Sequence, residues 1–356
     1  MILAGDIGGT KTNLALFDWA TERVEPARER TFASADFKSL EDVIIEFLKP
    51  LPKKEQEPVG GEDVADSAEP AEPAEEEAPM PVIEAACFGV AGPVIENRCR
   101  ATNLPWVVDG AELAKRFQIQ TVRLLNDLEA TAHGVLVLHP DETTVLNAGA
   151  PASAKGTMAL IAAGTGLGEA IIFWDGTRYH PMPSEGGHAS FAPTNDLEMD
   201  LLRYLRASYL HVSYERVLSG PGLHAIYEFL RDTKKNEPTW LAERLKAEDP
   251  AAVIAEVGLG GQSEICKQAL DLFASIYGSE AGNLALKALA LNGVYLGGGM
   301  APKLLKRLAD GSFLRTFTAK GRYKRLLSSI PVYVIMNQKS ALLGAASVAA
   351  QLRNGQ

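Results

Sequence analysis

Gly5-Asp6-Ile7-Gly8-Gly9-Thr10 follows a short apolar start and precedes Lys11-Thr12-Asn13-Leu14-Ala15-Leu16-Phe17. A strand that ends in an acid and two glycines, then returns as a second strand, is a tight hairpin. Its turn exposes backbone N–H groups that no side chain blocks, so it can cradle phosphate oxygens. The Asp6 carboxylate can face a metal-bound water. A bare Gly-Gly hairpin with nothing bound is the competing reading, and it stays open on these residues alone.

The same pattern returns later. Residues 157–163 read as an apolar strand that ends in Gly164-Thr165-Gly166-Leu167-Gly168, and residues 169–174 read as its return strand. Two such hairpins, each heading a mixed α/β region, suggest a duplicated architecture rather than one doubly wound sheet. Around them, residues 82–90, 122–127, 294–297 and 331–336 are strand-like. Helical spacing marks 37–48, with Ser39 as N-cap, and also 128–138, 197–210, 265–286 and the small-residue run 341–352.

The 356 residues favour two domains. No apolar run is long enough to span a bilayer, and no signal-peptide pattern is seen. Cys87, Cys99 and Cys266 are too few and scattered for a disulfide framework, and no C-x-x-C motif offers a zinc site. The cytoplasm is the expected compartment. Residues 53–79 contain ten acids and two bases, so they carry −8 of the formal −10. The rest of the chain is nearly neutral and offers no nucleic-acid surface. That Pro/Glu/Ala tract has almost no apolar side chains to bury, and disorder is expected of it.

Four stretches carry polar groups where chemistry is done. Asn126-Asp127 closes an apolar strand at the start of a helix, where open α/β folds place ligands. A carboxylate there can take a proton from a hydroxyl, or it can simply cap the helix. Ser184-Glu185-Gly186-Gly187-His188 sets an acid and an imidazole around two glycines, a pattern that suits vicinal hydroxyls and equally a plain turn. Glu215 precedes the Ser219-Gly220-Pro221-Gly222 break, and Gly297-Gly298-Gly299 can bring backbone against a flat ring or a phosphate.

In combination and order these motifs resemble the bacterial glucokinase family, within the larger group of actin-like, two-lobed phosphotransferases. The resemblance runs from Ile2 to about Gly344, and the acidic tract looks like an insertion. It implies an α/β fold of two ribonuclease H-like mixed-sheet lobes around a cleft. It also implies a smaller lobe from residues 1–137 and 338–356, with the insertion at 53–80, and a larger lobe from 138–337. Gly5, Asp6, Ile7, Gly8, Gly9, Thr10 and Lys11 then match the turn for the ATP β- and γ-phosphates, with Asp6 near Mg²⁺ through water. Gly164, Thr165 and Gly166 match the second phosphate turn. Asp127 matches the base that takes the proton of the sugar 6-hydroxyl, and Asn126 a sugar-binding neighbour. Glu185, His188 and Glu215 match ligands of the other glucose hydroxyls. Thr102-Asn103 looks like the loop over the sugar. Ser219, Gly220, Gly298 and Gly299 sit where such proteins line the adenosine pocket. A homodimer is implied as well.

Lys11 and Leu128-Glu129 depart from the family pattern without removing a required group. A related sugar-kinase group with regulator members carries a zinc-binding cysteine cluster and a helix-turn-helix extension, and neither is read here. Three other functions compete: an actin-like ATPase switch without sugar chemistry, a sugar-sensing regulator, and a kinase for another hexose or another phosphoryl donor. The switch has no reason to keep Glu185, His188 and Glu215 together.

Overall fold

The computed structural model describes residues 1–19, 22–49, 81–150, 155–234 and 237–355. The acidic tract expected at 53–80 lies outside the described residues. Three strands open the chain: β1 (Ile2–Ile7), β2 (Lys11–Phe17) and β3 (Arg28–Ala33). Helix α1 (Leu40–Leu48) follows, and the Ser39 hydroxyl accepts from the Asp42 N–H at its start, as expected of an N-cap. Then come β4 (Ala85–Val90) and a small ribbon of β5 (Val94–Ile95), β6 (Arg98–Arg100) and β7 (Val107–Asp109). Helix α2 (Gly110–Phe117), β8 (Thr121–Asn126) and α3 (Asp127–Val135) complete this part.

The first sheet has the order β3-β2-β1-β4-β8. β1 pairs antiparallel with β2 and parallel with β4, so the opening hairpin is the start of a mixed sheet. β4 is buried along its whole length, which explains its unbroken apolar sequence.

The second half repeats the plan. Strands β9 (Thr143–Asn147), β10 (Met158–Ala163), β11 (Leu167–Trp174) and β12 (Tyr179–Ser184) precede a helical stretch. That stretch holds α4 (Asp196–Arg206), α5 (Gly220–Lys234), α6 (Thr239–Ala247), α7 (Pro250–Leu259) and the 25-residue α8 (Glu264–Ala288). β13 (Val294–Gly297) returns to the sheet. The short helices α9 (Met300–Lys303), α10 (Leu305–Leu308), α11 (Ser312–Phe317) and α12 (Lys324–Ser328) lead to β14 (Val332–Ile335) and the closing α13 (Ser340–Arg353). The second sheet reads β12-β11-β10-β13-β14-β9. Its first five strands repeat the antiparallel, antiparallel, parallel, parallel pairing of the first sheet. The duplication expected from the two hairpins is therefore present strand for strand.

The apolar core follows the sheets. One cluster fills the space between the second sheet and α5, α7 and α8, around Tyr227, Phe273 and Tyr277. Another lies under α1 and the first sheet, around Phe47 and Phe88. On the other face of that sheet, α13 packs through Ala345, Ala346 and Ala349. Small residues let α13 come close to α3: a Cβ on Gly134 would overlap the Ser340 carbonyl, and one on Gly344 the Ala130 carbonyl. At the same junction Arg23 grips Glu142 through two bonds of 2.5 and 2.9 Å. Glu142 also accepts from the Asn337 amide.

Candidate active site

The two lobes enclose a cleft of about 1080 Å³. That volume exceeds a one-ligand pocket and can take two substrates together. Both hairpin turns open into it, through Asp6, Gly8 and Gly9 on one side and Gly164, Thr165 and Gly166 on the other.

The first turn is closed by the Gly8 N–H donating to the Lys11 carbonyl at 2.9 Å. Ser34 braces it from outside. Its N–H donates to the Thr10 carbonyl at 3.0 Å and its hydroxyl to the Gly8 carbonyl at 2.8 Å. In the second turn the Gly164 N–H donates to the Gly166 carbonyl at 2.9 Å, and the Gly220 N–H donates to the Gly164 carbonyl at 2.8 Å. Among the described residues, the N–H groups of Gly9, Thr10, Thr165 and Gly166 donate to no protein acceptor. Outward-pointing amides of this kind form an anion nest.

Asp6, next to last in β1, has one long side-chain bond, from Asn13 Nδ2 at 3.4 Å. Burial pushes its carboxyl up to about 6; Asn13 pulls it down and the Asp127 charge adds to the rise. Among the described residues no group of three or more His, Cys, Asp or Glu side chains gathers around a metal position. One carboxylate completed by phosphate oxygens and water fits Mg²⁺, which keeps several waters and takes few protein ligands.

Asp127 is the first residue of α3, but it does not cap the helix. Asn126 does that, its Oδ1 accepting from the Leu128 and Glu129 N–H groups at 2.9 and 3.4 Å. The Asn126 amide donates to the Gly92 carbonyl at 3.1 Å. Asp127 is thereby free to face the cleft, with the Leu128 N–H donating to its Oδ1 at 2.9 Å. It is accessible to solvent, yet recessed enough that burial raises its pKa above the usual carboxylate range, helped by the Glu185 charge and opposed by the Leu128 N–H.

Three further side chains converge from the larger lobe. Glu185 and His188 flank the turn Gly186–His188 after β12, with His188 Nε2 3.8 Å from Glu185 Oε2. Glu215 lies in the short turn Tyr214–Arg216, and its Oε1 is 4.0 Å from His188 Nδ1. Its Oε2 accepts from the Leu167 N–H at 3.0 Å, so it also ties down the second glycine turn. That contact requires glycine at 166, where a Cβ would stand 2.5 Å from Glu215 Oε2. Thr102 and Asn103, from the loop before β7, and Gly298 and Gly299, after β13, also line the cleft, with Asn103 packed against Gly9 of the first turn.

Not every residue read from the sequence reaches the cleft. Gly5 and Ile7 are buried in the sheet, while Thr10 and Lys11 are exposed beside the turn rather than among the lining groups. Ser219 and Gly220 act from behind. The Ser219 hydroxyl donates to the Glu215 carbonyl at 2.8 Å and accepts from the Gly222 N–H at 3.0 Å, capping α5. The cleft also includes Asn337, Gln338 and Ser340, which the sequence reading passed over. Their signal was available: Asn337-Gln338 follows an apolar strand as Asn126-Asp127 does.

Two matched α/β lobes, each offering a glycine turn to one polar cleft, define an actin-like, two-lobed sugar phosphotransferase. The Glucokinase family model matches residues 3–352, and the chain belongs to that family. Its activity is the ATP-dependent phosphorylation of glucose. A glucokinase of Nostoc sp. (strain PCC 7120) is 40% identical over 367 aligned positions, covering 99% of each chain. The crystal structure of a glucokinase from an Antarctic psychrotroph superposes with a TM-score of 0.78 at 30% identity, covering 98% of both chains. A ROK family glucokinase from Streptomyces griseus, solved with glucose and AMPPNP, shares the fold at 19% identity, covering 98% of this chain and 99% of that one, with a TM-score of 0.61.

Proposed function

We propose that this chain transfers the γ-phosphoryl group of ATP to O6 of D-glucose, with Asp127 as general base, giving glucose 6-phosphate and ADP. One observation carries the reading: both glycine turns, Asp127 and the trio Glu185, His188 and Glu215 open onto a single polar cleft. The sugar O6 attacks the γ-phosphorus, the new O–P bond forms as the P–O bond to ADP breaks, and the hydroxyl proton passes to Asp127. Its raised pKa brings this carboxylate nearer the proton it must accept.

The unpaired turn amides of Gly9, Thr165 and Gly166 receive phosphate oxygens, and Asp6 would hold Mg²⁺ through water. When bound, Mg²⁺ neutralises charge on the β- and γ-phosphates. Gly298 and Gly299 line the adenosine end, with Ser219 and Gly220 supporting it. Glu185, His188 and Glu215 orient the ring, with Thr102, Asn103 and Asn126 beside them. A sugar that lacks a matching hydroxyl leaves one of these groups unpaired, at a cost of about 1–3 kcal/mol. Lobe closure excludes the water that would otherwise accept the phosphoryl group. We place the lobe boundary at 137/138 and 337/338. Two observations support it: β9 pairs into the second sheet, and α13 packs on the first. The family resemblance extends the proposal to a homodimer acting in the cytoplasm. No described helix is long and apolar enough to cross a membrane.

The test is a coupled ADP-release assay over several hexoses with ATP, ADP and polyphosphate as donors. Glucose with ATP should give the highest kcat/KM. ATP hydrolysis indifferent to glucose would instead mark a nucleotide switch. Asp127→Asn should keep most glucose affinity and lose about 10²–10⁴-fold in kcat, and turnover near that of the unaltered chain would remove Asp127 from its role.

A further inference from the structure

Behind the cleft lies a second layer of polar groups to which phosphoryl transfer gives no task. Its centre is Glu280 on α8, which is 0% exposed. Its Oε1 lies 3.2 Å from Lys287 Nζ, and its Oε2 accepts from Asn283 Nδ2 at 2.7 Å. A fully buried carboxylate persists only where such partners offset its lost hydration. Asn283 Nδ2 also donates to the Tyr214 hydroxyl at 3.1 Å, and Asn283 Oδ1 accepts from Lys320 Nζ at 2.6 Å. Tyr214 immediately precedes Glu215 in the same short turn.

On the other side of Glu280 stands Glu169 of β11, 2% exposed. Its Oε1 is buried with no protein donor, and only the neutral Glu169 carboxyl can bond to the facing Glu280. Its Oε2 presses on Gly186, where a Cβ would overlap the carboxylate. Burial, and then the facing Glu280 charge, push the Glu169 carboxyl up to about 7. One buried carboxylate therefore reaches, through one residue on each side, both turns that carry the sugar-facing groups.

His188 and Glu215 are 4.0 Å apart, too far for a direct hydrogen bond. Backbone bonds already set their segments side by side, with the Tyr214 N–H on the Ala189 carbonyl at 3.0 Å and the Phe191 N–H on the Val212 carbonyl at 2.9 Å. The Tyr214–Arg216 turn is closed by the Val217 N–H on the Tyr214 carbonyl at 2.9 Å, and the Tyr214 hydroxyl adds the side-chain tie from this turn to α8.

We propose that Glu280, Asn283 and Tyr214 are positioning residues that fix the Glu215 turn against the His188 turn, with Glu169 as the wedge beneath Gly186, and so set the affinity for glucose. This rests on reading Glu185, His188 and Glu215 as ligands of the sugar hydroxyls. The layer acts on geometry and takes no part in bond making. Its signature is a change in glucose KM without a matching change in ATP KM or kcat.

Tyr214→Phe deletes the hydroxyl and keeps the ring that meets Phe191 edge-on, with centroids 5.7 Å apart. Glu280→Gln keeps the shape and removes the charge. Steady-state kinetics of the full chain, with each substrate varied in turn, should show glucose KM raised at least five-fold in Tyr214→Phe. The rise should be larger in Glu280→Gln, with ATP KM and kcat within about two-fold. His188→Ala serves as the control on the site. If glucose KM is unmoved in Tyr214→Phe while His188→Ala raises it, the positioning layer is overturned and the site stands. If both KM values rise together with a fall in Tm, the layer is only structural and the proposal is again overturned. If His188→Ala also leaves glucose KM unmoved, the sugar-site reading itself fails and takes this inference with it. Should Glu280→Gln not fold, Tyr214→Phe decides alone.

Discussion

The β1–β2 hairpin and the β10–β11 hairpin have the same topology and different chemistry. Each heads a mixed sheet and turns through glycine and threonine into the cleft. Two residues before the first turn glycine, the first hairpin carries Asp6 and the second carries Ala162. The first turn is braced by hydroxyls of its own lobe, with Thr12 Oγ1 and Ser34 Oγ 3.0 Å apart. The second is braced by Glu215, which also lines the cleft beside His188. A duplicated frame has therefore been used asymmetrically: one copy carries a buried carboxylate beside its turn, and the other ties its turn to Glu215.

That contrast can be broken in several ways. Asp6→Asn should cost most, about 10²–10³-fold in kcat/KM, with a raised Mg²⁺ requirement in a metal titration. An unchanged Mg²⁺ dependence would erase the difference between the turns. Gly166→Ala should displace Glu215 from the Leu167 N–H and raise both glucose and ATP KM about ten-fold. If only one KM moves, the second turn is not the link described.

Burial raises two carboxylates, Asp6 to about 6 and Asp127 above the usual carboxylate range, and both stand on or directly after strands of the first sheet. Both act deprotonated, so kcat/KM should fall as pH drops through about 6, above the ordinary carboxylate range. An acid limb near 4 in a pH–rate profile would contradict their recessed placement.

A smaller effect is expected beyond the hairpins. The first leads on to Arg23, which ties to Glu142, whereas the second leads to a surface turn where Asp175 pairs with His180 at 2.6 Å. Arg23 first, with the His139 N–H and Asn337, holds the Glu142 carboxyl down at about 2. A depressed carboxylate stabilises the fold above its unfolded pKa, and that contribution is lost as pH falls from about 4.5 toward 2. Glu142→Gln should lower Tm by several degrees at pH 7 and by much less at pH 3, in thermal melts at both. Smallest of all, removing residues 55–79 should leave kcat within two-fold in the same coupled assay.

The hairpins, the helix start at Asn126-Asp127 and the Glu185–His188 turn were legible because each is a local pattern whose geometry follows from adjacent residues. Capping shows where that stops. The sequence offered Asp127 as a cap, and the fold gave that task to Asn126, which releases Asp127 to the cleft. Ser219 and Gly220 serve as braces rather than lining, because their direction depends on how α5 meets the second turn. Arg23 and Glu142 lie 119 positions apart, and Glu169 meets Glu280 only through the fold. Charges that pair over such separations leave no periodic or local trace.

The crossing of α3 and α13 has a mechanical meaning. Gly134 lies seven residues from Asp127 along α3, about 10 Å at the rise of a helix. Backbone rests directly on backbone at Gly134 and Gly344, so α3 is a stiff lever with its fulcrum at that crossing and the Asp127 carboxylate at its tip. A methyl group added at the fulcrum would swing the tip, and the reacting geometry with it, without touching either substrate.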